Sequence, residues 1–564
     1  METHILSILI FLPLLGVLGL LFIQGEDHRN YRWISVVVTL LQLGLSIYLF
    51  ATFKPEYFQF HSYDSLVYME KTNWFQLPLG NLGILSVNYF LGVDGLSLSM
   101  ILLSSIVLFA GACASWKINK QAKGYHALYL LLCTSIPGCF LALDLFLFFL
   151  FFEFMLLPMF FLIGIWGGVR REYASIKFFL YTLFGSILIL IVFIVLFIST
   201  YNPAEMMEYV SANAGYSIQT IQEGIHSGEL INNPSIIHSL DLIQLSNPVN
   251  YFPSGLLGEH SALTLFGYSI RTWCFIALLI GFLIKLPAFP FHTWLPDAHV
   301  EAPTAVSVVL AGILLKIGGY GLIRIVWPLF PQEAANASWW VGLIGVFTIL
   351  YAALVALVQT DLKKMIAYSS VSHMGFVVLG LAAATTEGIT GAVYQMFSHG
   401  LISALLFLLV GVLYDRTHDR MIPNYRGLIS KMPAYSVIVT IAFFASLGLP
   451  GMSGFIAEIL IFIGAFQAAS TTATIPTWMP IVATLGLLLS AAYYLWTLQR
   501  MFFGKFSTHI TVDRNVLTDL TVSEKILLYT LSGLIILFGL CPWLLLDKIG
   551  PSMQEWSSFF VNMK

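Results

Sequence analysis

Apolar residues run along this chain in long unbroken stretches rather than alternating or recurring at every third or fourth position. A hydrocarbon layer of about 30 Å needs about 20 helical residues to cross it. Fourteen stretches meet that requirement, near 4–23, 31–53, 90–113, 125–143, 145–167, 173–199, 272–292, 304–327, 338–358, 362–383, 390–414, 434–468, 478–503 and 525–547. Continuous apolarity selects helices over a barrel, whose strands alternate, because in lipid each helix satisfies its own backbone. The expected fold class is all-α, a polytopic membrane protein with about 14 transmembrane helices. The first stretch has neither a basic leader nor a small-residue cleavage site, so it is expected to remain as a span.

Composition agrees. Of 564 residues 58% are hydrophobic and 10% charged, and mean hydropathy is +0.86; soluble domains carry about 25% charge. The net charge of −3 is spread without a basic cluster, which excludes a nucleic-acid partner and leaves the lipid bilayer as the surrounding medium. Cys113, Cys133, Cys139, Cys274 and Cys541 lie in or beside apolar runs with no CxxC spacing, so they read as packing residues. No phosphate loop or nucleophile elbow occurs.

Lysine and arginine set the orientation. Of 26, eighteen fall beside the odd-to-even connections and six on the opposite side, with Lys285 and Lys316 left inside spans. The positive-inside bias then places both termini on the outer face. The longest connection, about 201–270, carries Glu205, Glu208, Glu223, Glu229, Asp241 and Glu259 but no lysine or arginine, as an outer loop should.

Ionisable groups within a span cost several kcal/mol unless paired or wetted, so each is a functional candidate. Glu153 lies in LFFLFFEFMLLPMFFL with no charged residue within eight positions, and Lys285 is equally isolated in IALLIGFLIKLPAFPF. A lone acid and a lone base are natural partners, since pairing offsets part of their desolvation. The plainer reading is a static salt bridge that fixes helix packing. Pro287 and Pro290 remove donors to the carbonyls of Leu283 and Leu286, so this seventh span should break just after Lys285, where the negative end of the half-helix favours a cation. A second break is expected in span 12 at GLPGMSG, 448–454, shortly before Glu458. Between the breaks lie Lys316, His373 and His399, each in an apolar span. Lone buried histidines are usually packing residues, but acid, base, base, imidazole, imidazole and acid on six spans form a set able to pass a proton. Asp94 reads as a helix cap and Asp144 as a boundary residue facing away from Glu153. Asp297, His299 and Glu301, with His292 upstream, match no standard metal spacing and read as a polar bend.

LGVDGLS at 91–97, FFEFMLLPMFFLIGIWG at 151–167, KLPAFPFHTWLPDAHVEAPT at 285–304, SVVLAGILLKIGGYGLIR at 307–324, DLKKMIAYSSVSHMGFV at 361–377 and LPGMSGFIAEI at 449–459 resemble the antiporter-like subunits of respiratory complex I. The likeness runs from about 90 to 505. DAHVEAPTAVS and a glutamate at Glu458 resemble the M type; sibling subunits and multi-subunit sodium/proton antiporters more often carry lysine there. Only seventeen residues follow the last apolar run, too few for the long lateral helix of the L-type sibling. The resemblance implies two inverted five-helix repeats, 125–327 and 338–505, each with a half-channel, flanked by 1–89, 90–124 and 506–564. It implies Glu153 paired with Lys285, Lys316 and the histidines linking across the centre, and Glu458 at the exit. The 201–270 loop is longer than the family leads one to expect.

The function implied is outward proton translocation in an NADH:quinone oxidoreductase, whose FMN, iron–sulfur clusters, NADH and quinone sites would belong to other subunits, with no cofactor on this chain. Its partners would be the other membrane-arm subunits, sibling antiporter-like chains among them. The length of the chain favours a bacterial plasma membrane over an organellar one. The alternative is a cation/proton antiporter subunit without a redox partner; a third reading is a scaffold whose charges only lock helices.

Overall fold

The computed structural model describes the chain apart from residues 1–3, 24–27, 55–62, 64–65, 204, 207–223, 225–226, 228–235, 254, 259–260, 262, 509–516 and 563–564. Glu208, Glu223, Glu229 and Glu259 lie outside the described residues. In chain order the principal helices are α1 (Ile5–Phe22), α2 (His28–Thr52), α3 (Gly95–Ala114), α4 (Ala122–Leu141), α5 (Leu145–Phe154), α6 (Leu156–Trp166), α7 (Arg171–Ser199), α8 (Ile270–Lys285), α9 (Trp294–Glu301), α10 (Thr304–Leu329), α11 (Pro331–Leu357), α12 (Leu362–Ala383), α13 (Thr386–Thr417), α14 (Pro433–Ser446), α15 (Ser453–Gln467), α16 (Trp478–Phe502), α17 (Val522–Leu540) and α18 (Trp543–Asn562).

Among the described residues thirteen helices are long and apolar enough to cross a membrane, and each falls on one of the fourteen expected runs. The remaining run, 272–292, is represented by α8, which has only 16 residues before it breaks. The chain is a multi-pass membrane protein. α10 and α13 are buried along their whole apolar length and form the centre, whereas α1, α2 and α17 present exposed Leu18, Leu40 and Ile526 at the periphery, as lipid-facing helices do.

The backbone departs from regular helix where the sequence demands it, and in two further places. α8 stops at Lys285, and the next turns rebuild around the prolines. Leu283 O accepts from Ala288 N at 3.1 Å, and Ile284 O accepts from the Trp294 indole at 2.9 Å. Of the two carbonyls expected to be freed, Leu283 O is thus already occupied by a neighbour. α14 and α15 are separated at 447–452, where Gly448 and Gly451 adopt φ of +75° and +92°, a region open to glycine. Unexpectedly, span 5 also breaks: Met155 separates α5 from α6, with Pro158 unable to donate to Phe154 O. Equally unforeseen are two π turns in α10, Leu310–Leu314 and Leu322–Val326, which bracket Lys316.

Three corrections concern the ends of spans. Residues 90–93 are strand, not the start of a span. β1 (Tyr68–Pro78) pairs antiparallel with β2 (Ile84–Val93), and β3 (Ile237–Ser239) from the long loop joins β2 in parallel. α3 begins after Asp94, whose carboxylate accepts from Ser97 N at 2.8 Å, the expected cap. Asp94 also pairs with Arg324 at the far end of α10, so an arginine counted with the connections is buried inside the fold. Beyond span 14, which closes at Leu540, the tail folds into α18. There the Trp556 indole donates to Ile323 O at 2.9 Å, and Ser552 Oγ accepts from Gly95 N at 3.1 Å. The hairpin clasps the first span, with Glu70 accepting from Leu6 N at 2.8 Å and Ser7 N at 3.2 Å.

Candidate proton-transfer site

The six titratable residues sit on six helices, α5, α8, α10, α12, α13 and α15, and fall into two groups. In the first, Glu153 occupies the last turn of α5 and Lys285 the last residue of α8. They act on each other electrostatically, and both act on Cys139, yet no ion pair within 4.0 Å joins them among the described residues. The Phe152 ring lies under the ammonium instead, 4.4 Å from Nζ. Lys285 Nζ and Glu153 Oε1 are both buried without a hydrogen-bond partner. The expected partners therefore interact without direct contact.

The second group is contiguous. Lys316 Nζ lies 2.8 Å from His399 Nδ1 and also donates to Ala311 O, a carbonyl of the first π turn. The rings of His399 and His373 are 5.4 Å apart between centroids. His373 Nδ1 lies 3.8 Å from Glu458 Oε1, and His373 Nε2 is 3.2 Å from Ser446 Oγ. All four residues are nearly sealed from the exterior. Gly448 makes room for the acid: a Cβ there would collide with Glu458 Oε2. No hydrogen bond or ion pair links Lys285 to Lys316 among the described residues, but their helices approach closely, since a Cβ at Gly318 would collide with Leu286 N and Phe282 O.

One member was passed over in the sequence. His299, read as part of a polar bend, is fully buried, stacked on Phe407 at 4.4 Å with 14° between planes. It acts electrostatically on Lys316, Lys363 and His399, and neither ring nitrogen has a hydrogen-bond partner. Lys363, counted among the connection lysines, is buried too and donates to Ala302 O at 2.6 Å. The signal available was HTWLPDAH, two imidazoles seven apart beside a helix break. Asp297 and Glu301 behave as expected of a bend: Asp297 pairs with Lys177 at 2.7 Å, and Glu301 accepts from Arg170 N at 2.9 Å. Among the described residues no three His, Cys, Asp or Glu side chains are grouped to hold a metal ion.

Bases and acids placed in series at membrane depth are suited to proton transfer. Residues 142–226 and 242–503 match the family described as NADH:quinone oxidoreductase/Mrp antiporter, transmembrane. NADH-quinone oxidoreductase subunit M of Rhodobacter capsulatus is 38% identical over 556 residues, 98% of this chain and 96% of that one. A chain of respiratory complex I from Thermus thermophilus with bound NADH superposes with a TM-score of 0.75 at 28% identity, covering 98% of this chain and 99% of that one. A chain of the Mrp complex from Dietzia sp. DQ12-45-1b shares the fold, with a TM-score of 0.74 at 19% identity over 99% of both chains. Matched over most of its length by the family's own pattern and nearly end to end by a subunit M, the chain belongs to the NADH:quinone oxidoreductase/Mrp antiporter family of membrane-spanning proteins.

Proposed function

We propose that Glu153, Lys285, Lys316, His399, His373 and Glu458 carry protons through this chain as the antiporter-like subunit M of an NADH:quinone oxidoreductase. The observation that carries the reading is the close succession Lys316, His399, His373, Glu458 across four helices. Lys285 is the loading group: with Glu153 opposite it keeps its proton, and when that influence weakens burial favours release towards Lys316. Glu458 receives the proton at the far end. Each charge moved outward works against about 2.3 kcal/mol per 100 mV.

NADH oxidation, FMN, the iron–sulfur clusters and quinone reduction belong to partner subunits in this reading, and sibling antiporter-like chains flank this one in the membrane arm. The membrane is a bacterial plasma membrane, with both termini and the hairpin outside. Residues 125–327 and 338–505 form the two five-helix units, each holding one of the two groups' breaks. The likeness to the Dietzia Mrp chain rests on fold alone, whereas identity to a subunit M extends over nearly the whole chain, which favours the redox-coupled reading over a free-standing antiporter.

Glu153→Gln and Lys285→Ala are expected to remove most proton-coupled quinone reduction while the complex still assembles. The check is NADH:quinone turnover and vesicle acidification in membranes whose subunit content is verified. Full activity in an assembled variant would overturn the assignment.

A further inference from the structure

A side branch leaves the titratable series at His373. From Nε2 it runs to Ser446 Oγ at 3.2 Å, from Ser446 to the Tyr494 hydroxyl at 2.6 Å, and from Tyr494 to Ser369 Oγ at 2.9 Å. The groups come from α12, α14 and α16, and all are buried. Ser369 lies four residues before His373 in α12, about 6 Å nearer the helix start, which carries Lys363 and Lys364 and faces inward. Tyr494 lies in the half of α16 that ends at Arg500, on the same inner side. A hydroxyl needed only for packing has no reason to meet a second and a third in a row. Tyr435, by contrast, is satisfied by the single backbone carbonyl of Leu409.

We propose that Ser369, Tyr494 and Ser446 form a relay that delivers protons from the inner side to His373, with Tyr494 as its central member. The Ser369 hydroxyl donates to Ile366 O at 2.8 Å and Tyr494 donates to Ser369, so both hydroxyls must first turn; a proton entering at Ser369 then forms one O–H bond there as another breaks towards Tyr494. The same exchange repeats at Tyr494 and Ser446, so no hydroxyl becomes charged. An N–H bond forms at His373 Nε2, giving the imidazolium. The imidazolium then closes the 3.8 Å to Glu458, and its Nδ1–H bond breaks as Oε1 gains the proton. The source is the inner-side proton that translocation itself supplies. Gln395, whose Nε2 is 3.4 Å from His373 Nδ1 and whose Oε1 has no partner, selects the tautomer: with its amide turned, Oε1 accepts from Nδ1–H and leaves Nε2 open to receive. Rotation of the hydroxyls and the imidazole resets the path.

The relay rests on the reading of His373 and Glu458 as carriers, so the experiment separates the two. In assembled complex, Tyr494→Phe keeps the ring and removes the hydroxyl, and Ser446→Ala removes the next link. Each is expected to lower coupled turnover about ten-fold or more and to change the solvent deuterium isotope effect in complex whose assembly is verified. The double variant should be no slower than the slower single one, since both cut the same path. Ser446→Thr, which keeps a hydroxyl, should retain activity; it decides the matter if Tyr494→Phe fails to assemble. Ser403→Ala, whose hydroxyl bonds only Gly400 O at 3.2 Å, is the control. Wild-type turnover and isotope effect in Tyr494→Phe or Ser446→Ala, or losses that multiply in the double variant, overturn the relay. If His373→Phe is inactive while those variants are normal, only the relay falls; a fully coupled His373→Phe sinks the carrier reading with it.

Discussion

Asp144 holds a fully buried carboxyl at the first turn of the helix that carries Glu153. Burial pushes its pKa up to about 7, and the neighbouring Asp241 adds to the rise. The backbone N–H groups of Asn88, Leu147 and Phe146, which the carboxyl accepts, pull against both. Lys71 and Tyr63 face the pair but are bonded to Asp241. Because the folded-state value lies above the ordinary one near 3.9, the folded chain holds this proton more tightly than the unfolded chain does. The stabilisation is complete in acid, drains away as pH climbs from about 4 to 7, and is gone above that. Asp144→Asn keeps an acceptor for the cap and removes the titration. The variant is therefore expected to gain in melting temperature relative to the wild type as pH rises from 5 to 8. A gap that stays constant or narrows over that interval would contradict the assignment.

Among the elements, the junction of α5 and α6 is where a single residue decides helix continuity. Pro158 leaves Phe154 O without its usual donor, and Glu153 sits at the loosened end. In Pro158→Ala the restored N–H can bond that carbonyl and run the two segments together, so thermal stability should hold or rise while coupled turnover falls several-fold. Unchanged turnover with a raised melting temperature would mean that the break does not serve Glu153. The proline and glycine breaks at 286–290 and 447–452 were legible because those residues dictate backbone geometry by themselves. So were the six ionisable residues within spans, since hydrocarbon makes any ionisable group conspicuous. The π turns around Lys316 were not, because nothing in VVLAGILLKIGGYGLI forbids a regular helix; they arise where α10 packs against its neighbours. The hairpin strand 84–93 ends in FLGV and merged with the apolar run of α3, although Asp94 and Ser97 marked the true start. His299 was missed because burial in a bend is a tertiary fact, and the span of Phe407 that covers it lies over a hundred residues away.

At the scale of the molecule, the described part of the long loop is joined to the hairpin and to the start of α5. The family's pattern passes over 227–241, yet within that stretch Ile237–Ser239 forms β3 of the hairpin sheet and Leu240 O accepts from Leu145 N at 2.8 Å; just beyond it Leu242 N donates to Leu143 O at 2.9 Å, completing a backbone bridge to the start of α5. Asp241 fastens the crossing. It takes Lys71 at 2.7 Å and Tyr63 at 2.9 Å, and caps the following turn by accepting from Ile243 N at 2.8 Å. Lys71 belongs to the same hairpin whose Glu70 holds the first span, so one small sheet ties the first span, the long loop and the Glu153 helix together. This arrangement reads as a brace. Asp241→Ala should cost about 1–3 kcal/mol, losing a cap and leaving Lys71 unpaired, whereas Asp241→Asn keeps the cap and should fall between it and the wild type. Thermal melts of the intact complex measure that order. Turnover of the folded variants should stay near wild type, because Asp241 stands outside the buried series. If Asp241→Ala instead stops proton transfer while melting normally, the loop takes part in the path itself, and the brace is the wrong description.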